Sequence, residues 1–294
     1  MRIFQGILTV WVVVTVVFVL GRATGDPVEL MLALEATEEQ RQMVRESLGL
    51  DKPIVVQYGI YMGKLLRLDF GNSLVSKAPV SELLGMRLVK SLELSAFSML
   101  VTLAFAFPLG VLAAAKRGSS LDMAARLVAV LGQSLPHFWV GLVLMEIFAV
   151  KLRWLPVGGA HGISSYVLPG FTMGWFITAG IMRLLRSSML EVLGSDYILF
   201  ARVKGVPTSG VIWRHALRNA LLPVVTFSGM YFALLIGGAV IIETVFAWPG
   251  IGRLAFLAVV DRDFPVIQGV VVVIAAIVAA VNLIIDIVYY WIDP

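Results

Sequence analysis

Cysteine is absent from all 294 residues, which removes disulfides, thiol nucleophiles and cysteine-ligated zinc. Charge is scarce as well. Asp, Glu, Lys and Arg make up 14% of the chain, where a soluble domain averages about 25%. Histidine occurs three times, at His137, His161 and His215, without HExxH spacing, so a zincin site has no ligand set. No GxxxxGK run followed by Ser or Thr occurs either, and the chain has no P-loop in which to hold a nucleotide. What is present is apolar: 59% of the residues are hydrophobic, in long uncharged stretches separated by short charged segments. That is the composition of a membrane protein.

A helix needs about 20 apolar residues to cross the hydrocarbon core. Six stretches qualify: Ile3 to Leu20, Leu94 to Ala115, Leu127 to Val150, Ile163 to Met182, Ala220 to Ile242 and Phe264 to Ile285. The first has one basic residue before it, Arg2, and is longer than the apolar core of an ordinary signal peptide, so it is expected to stay as a helix. Placing the N-terminus in the cytoplasm puts Lys116, Arg117, Arg126, Arg183, Arg186, Arg202, Lys204, Arg214 and Arg218 on the inner side. The short outer loops then hold only Lys151, Arg153, Arg253 and Arg262, and both termini are expected in the cytoplasm.

Between the first two spans lies a loop too long for a simple connector. Asp26-Pro27 reads as an N-cap with Pro at N1, opening Val28 to Leu34. Thr37 with Gln40 matches a capping box whose helix should stop at Gly49. Pro53 opens a third stretch, in which Ile54, Tyr58, Met62 and Leu65 recur at helical spacing. Phe70-Gly71-Asn72-Ser73 breaks that pattern, and Pro79 to Leu88 reads as a short amphipathic helix on the membrane surface. The expected division is a first span at 1–20, an extracytoplasmic helical insertion at 21–92, and a five-helix core at 93–294.

The inner loop after the fourth span has the form of an elbow. Ser195-Asp196 can cap a short helix, and Gly205 sits where that helix would end. Pro207 then allows a second helix to begin at N1 and continue toward Arg214. Basic residues there serve as topology anchors, but an anchor does not require a helix–Gly–helix bend. Such a bend suits the groove of a partner protein.

At this elbow the chain resembles the membrane subunits of ATP-binding-cassette importers, in the dipeptide/oligopeptide/nickel branch. The residues that carry the resemblance run from Asp196-Tyr197 through Ala201-Arg202-Val203-Lys204-Gly205-Val206 to Arg214-His215-Ala216-Leu217-Arg218-Asn219-Ala220-Leu221-Leu222-Pro223. Further matches are Phe70-Gly71-Asn72-Ser73-Leu74, Leu155-Pro156-Val157-Gly158-Gly159, Gly238 to Phe246 with Trp248-Pro249-Gly250-Ile251-Gly252, and Arg262-Asp263-Phe264-Pro265. The long loop after the first span is similar to that of the B-type permease of the pair. The general importer pattern is Glu-Ala-Ala, three residues, Gly, nine residues, Ile-x-Leu-Pro. Ala201, Gly205 and Leu217 match it, whereas Leu199 and Phe200 replace the Glu and first Ala, and His215 and Arg218 replace the Ile and Pro.

The resemblance implies an all-α integral membrane protein of the type I, MetI-like permease fold, with six transmembrane helices and a helical insertion between the first two. It implies a bacterial or archaeal cytoplasmic membrane, with lipid around the chain. The implied partners are a related second permease of C type, two cytoplasmic ATPase subunits and an extracytoplasmic substrate-binding protein, with no nucleic acid. The chain would have no catalytic residue, metal or cofactor of its own, since ATP and Mg would be bound by the ATPases. The loop at 187–218 would receive their motion, with Gly205 permitting the turn, Ala201 close approach, and Arg202, Lys204 and Arg214 polar contacts. Its solutes would be di- or oligopeptides, with nickel or glutathione-like substrates as the alternative.

Polar residues in or near the spans are functional candidates because burying them is costly. Gln133, Ser134 and His137 around Pro136, and Asn282 in the last span, are candidates for lining a pore. Glu146 is expected to pair locally with Lys151 or Arg153. Glu243 with Trp248, Pro249 and Gly250 is placed at the outer mouth, as a gate or a contact for the binding protein. A secondary transporter would show internal repeats and an intramembrane coupling carboxylate, and the only acid in the central spans is Glu146, near the outer end of the third. An intramembrane enzyme would need a nucleophile–base pair or clustered ligands, and these side chains are scattered.

Overall fold

A computed structural model describes residues 2–23 and 37–292, and every named element among them is helical. In chain order these are α1 (Arg2–Ala23), α2 (Glu38–Leu48), α3 (Ile54–Leu66), α4 (Val80–Ala115), α5 (Ser120–Ser134), α6 (His137–Leu144), α7 (Ser164–Leu193), α8 (Asp196–Val203), α9 (Leu217–Gly238), α10 (Val240–Val245), α11 (Ile251–Val260) and α12 (Phe264–Ile292). α6 runs on as a π-helical segment, Met145–Lys151, and α9 is entered through a helical turn at Thr208–Gly210 and a second π segment, Val211–Ala216. The expected helix at Val28 to Leu34 lies outside the described residues.

Five helical stretches are long and apolar enough to cross a membrane: Phe4–Gly21, Val80–Ala115, Ser164–Leu193, Thr208–Gly237 and Phe264–Ile287. The sixth expected span, Leu127 to Val150, is not one straight helix. It breaks between Ser134 and His137, and the two halves meet at 102°. Pro136 has no N–H to continue the ladder, and it holds Leu135 extended (φ −91°, ψ 133°). Past the bend, Glu146 pairs with Lys151 at 3.6 Å.

Pro79 to Leu88 also departs from the expected arrangement. It is no separate surface helix but the opening of the 36-residue α4, with Val80 and Leu84 buried. No Gly–Pro break separates it from the apolar run, so the helix propagates, and the expected boundary at 92/93 falls inside α4. Contacts divide the chain into one unit at 1–90 with 249–280 and another at 91–248 with 281–294.

In the first unit α2 and its stop at Gly49 (φ +67°) follow the expected pattern. α3 docks on α1: Tyr58 Oη lies 2.8 Å from Thr15 Oγ1, and Phe18 packs against the rings of Tyr58 and Tyr61. Val80, Leu84, Ile251, Ala258, Val266 and Val270 form the unit's core. Asp263, buried before α12, holds the Gly71-to-Ser76 turn. Ser73 Oγ donates to Oδ2 at 2.5 Å, Leu74 N to Oδ1 at 3.1 Å and Val75 N to Oδ2 at 3.4 Å. Two segments 190 residues apart are thus joined through one carboxylate. Asp263→Ala leaves these donors without their acceptor and is expected to cost about 3 kcal/mol. Thermal melting of the purified chain with limited proteolysis checks this, the first cut being expected within 70–79.

The second unit is built around α7. Its buried residues include Met173, Gly174, Ile177, Ala179, Gly180 and Ile181. Small residues let helices approach closely where lipid gives no hydrophobic drive for association. A Cβ on Gly174 would stand 2.7 Å from Thr102 Oγ1 and 3.0 Å from the Ser98 carbonyl oxygen of α4. Thr102 donates to the Gly174 carbonyl at 3.2 Å, and Ser98, Thr172 and Thr178 each donate to the carbonyl four residues back.

Candidate functional site

The elbow expected after the fourth span is present, with α8 between Ser195 and Lys204. Ser195 is extended at the N-cap position, but its hydroxyl donates back to the Val192 carbonyl at 2.6 Å and does not cap α8. The helix ends as its sequence predicts. Gly205 takes φ +78°, Gly205 N donates to Arg202 O at 3.0 Å, and Val206 N donates to Ala201 O at 3.1 Å. These paired bonds satisfy the last carbonyls of α8, and the left-handed residue between them favours glycine. Pro207 occupies the position before the next helix and not its first turn, which begins at Thr208.

α8 is fixed from one side. Ile198 is buried in the unit's core with Val211 and Ala216, and Asn219 Nδ2 donates to Tyr197 Oη at 2.6 Å. On the other side Leu199, Phe200 and Val203 are 60%, 66% and 78% exposed. Asp196 stands exposed in the first turn, where an acid suits the helix dipole. Arg202, Lys204, Gly205 and Arg214 are exposed, and Ala201, Val206, His215 and Leu217 are half-buried. Trp213, on the π segment, is also exposed. The elbow is therefore an apolar ridge flanked by basic groups. The sequence pattern shows the turn but does not reveal that Leu199 and Phe200 point outward, because that follows from which face Ile198 buries.

The membrane-depth candidates do not converge on one site. Gln133 Oε1 accepts from Arg183 Nη1 at 2.9 Å, and Ser134 donates to the Val130 carbonyl one turn back. His137 is half-buried at the start of α6, and Asn282 is exposed on α12. Glu243 and Trp248 are fully buried, so neither offers an open contact surface. Ser91 Oγ donates to Glu243 Oε1 at 2.5 Å. Trp248 packs edge-on against Tyr166, whose hydroxyl donates to Glu93 Oε2 at 2.6 Å. Pro249 is half-buried and Gly250 buried.

One ion pair escapes sequence reasoning. Asp122, fully buried, accepts from Arg186 Nε at 2.6 Å and Nη2 at 3.0 Å, and from Gly118 N at 3.0 Å. The partners are 64 residues apart, and Arg186 reads in sequence as an inner-side anchor.

The model for the family described as "Binding-protein-dependent transport system inner membrane component" matches residues 106–294, and that for the N-terminal part of such components matches 1–95. The glutathione transport system permease protein GsiC of Salmonella choleraesuis (strain SC-B67) is 40% identical over 294 residues, all of this chain and 96% of that one. GsiC of Escherichia coli (strain K12) is 38% identical over the same spans. Among solved structures, the inward-facing MetNI methionine ABC transporter in its CY5 native crystal form superposes with a TM-score of 0.61 at 17% identity. That match covers 72% of this chain and 97% of the other, and it shows the fold. The chain belongs to the family of binding-protein-dependent transport system inner membrane components, and is the permease subunit of an ABC importer with the MetI-like fold.

Proposed function

We propose that this permease forms half of a translocation pathway for short peptides, glutathione among them, beside a related C-type permease. Its similarity to GsiC along its whole length carries this reading, since those relatives are named for glutathione transport and glutathione is a tripeptide. The membrane is the bacterial or archaeal cytoplasmic membrane, with both termini inside, in keeping with the basic residues of the inner loops. A substrate-binding protein delivers the solute from outside. Two ATPase subunits bind ATP and Mg on the inner face, and this chain binds neither. Closure of the ATPase pair pushes on the Asp196–Leu217 elbow, which passes the motion to α7 and α9 and rocks the spans between inward- and outward-facing arrangements. Gly205 holds the bend, Ala201 allows close approach, and Arg202, Lys204 and Arg214 surround the contact.

Reconstitution tests this directly. The chain, its companion permease, the ATPases and the binding protein are placed in liposomes and offered labelled dialanine, a pentapeptide, glutathione and a nickel chelate. ATP-dependent uptake of the peptides and glutathione is expected. Uptake of the nickel chelate alone overturns the peptide reading, and transport by this chain without an ATPase overturns the coupling.

A further inference from the structure

Between α5 and α7 lies a cavity of about 260 Å³ that the elbow does not use. Arg126, Arg183, Arg186 and Gln133 line it, with Ala129 and Met182 on its apolar side, and no carboxylate is among its lining residues. Asp122 is engaged by Arg186 through both carboxylate oxygens. The Arg126 guanidinium stands farther off, at 3.7 Å from Asp122 Oδ2. Arg183 has one acceptor among the described residues, Gln133 Oε1, a neutral amide that leaves its charge in place. Asp122 therefore sets one negative charge against the cavity's three guanidinium groups, pairing closely with Arg186 and more loosely with Arg126.

Positive charge that only fixes topology needs to sit in water beside the membrane. Here the exposed Arg126 and Arg183 and the half-buried Arg186 stand around one hollow, where like charges repel. A guanidinium fork matches a planar or tetrahedral oxyanion through paired N–H donors. The cavity is smaller than the roughly 300–1,000 Å³ pockets that enclose a drug-sized ligand, which suits one terminal group and not a whole solute. Basic pockets between membrane helices are known to hold lipid head groups.

We propose that this cavity is an oxyanion site in which Arg126 and Arg183 bind a carboxylate or a phosphate monoanion, with Arg186 fixed as its third wall by Asp122. Two sources present that chemistry at the basic end of these spans: the phosphate of an anionic phospholipid, and the terminal carboxylate of a peptide in transit. Only the second source rests on the importer's peptide specificity.

The test uses the permease–ATPase complex without binding protein, in nanodiscs of phosphatidylcholine with or without phosphatidylglycerol. If the source is lipid, native mass spectrometry finds phosphatidylglycerol retained at least tenfold over phosphatidylcholine, and R126Q/R183Q loses that preference. If the source is solute, dialanine raises the thermal midpoint in pure phosphatidylcholine by about 2–4 °C, dialanine amide does not, and R126Q/R183Q abolishes the shift. Either pattern supports the site. R183K, which keeps the charge and loses the fork, is expected to weaken whichever preference is found. Wild type with neither preference overturns the site without any variant, and so does a preference that survives in assembled R126Q/R183Q. Absence of ATP-driven peptide uptake by the wild type would sink the transport reading but leave the lipid measurement standing.

Discussion

Phe200→Asp is expected to abolish ATP-driven uptake by the assembled importer while the chain itself stays folded. The side chain is 66% exposed, so the substitution reaches no core contact. α8 keeps its anchors: buried Ile198, the Asn219–Tyr197 hydrogen bond, and the paired bonds that close the helix around Gly205. Phe200 does stand beside Leu199 and Val203, and together they form a ridge that suits an apolar groove. A central aromatic in such a contact contributes about 2 kcal/mol or more, a roughly 30-fold change in affinity. An aspartate there also has to be desolvated without a partner. The general importer pattern has Glu and Ala where this chain has Leu199 and Phe200, so a contact made by this ridge is expected to rest on apolar burial. Coupling should accordingly tolerate salt, and Arg202→Gln, at the rim, should cost little. Uptake, stimulated ATPase rate and thermal midpoint measured on the same preparation check all three. Wild-type uptake in a well-folded Phe200→Asp complex would move the docking surface off this ridge.

Much of this architecture is legible in the sequence because it is local. Hydropathy finds the spans, and Gly49 and Gly205 mark helix ends because a left-handed residue is required there whatever the surroundings. Direction is less legible. The run from Leu127 to Val150 reads as one span although it contains Pro136, and the 102° between its two halves depends on how α6 packs against α7 and α10. The opening of α4 misleads for a different reason. Glu82, Arg87, Lys90 and Glu93 make it look like a surface helix, yet charges cost little near the end of a long helix, and Val80 and Leu84 still face a core. Pairings between distant segments are the least legible. Phe70-Gly71-Asn72-Ser73 and Arg262-Asp263-Phe264-Pro265 are each recognisable, but no spacing rule shows that Ser73 binds Asp263, or that Asp122 binds Arg186.

The same limit hides the position where a single methyl group should do most damage. A Cβ on Gly158 would stand 2.3 Å from the Phe246 carbonyl oxygen and 3.0 Å from its carbonyl carbon. Backbone cannot swing aside as a side-chain tip can, so either the Leu155-to-Gly159 turn or the Phe246 segment has to move. Movement of either breaks the hydrogen bond from Gly159 N to the Phe246 carbonyl, 2.9 Å long. It also disturbs the Phe246 ring, which closes over Gly141 of α6 beside Thr172 of α7. Trp248, two residues on, is fully buried against Tyr166. Gly158→Ala is thus expected to destabilise the second unit by about 3 kcal/mol, the upper part of the range for overpacking, and to lower the yield of assembled complex severalfold. Gly71→Ala is the contrast. That residue has φ +77° with nothing within 4 Å of the added Cβ, so it carries only the left-handed penalty of about 1 kcal/mol. Thermal midpoints of the two variants in one detergent separate the effects. A Gly158→Ala midpoint equal to that of Gly71→Ala would mean that the Phe246 segment yields freely, and that the Leu155-to-Gly159 turn does not lock the end of α10.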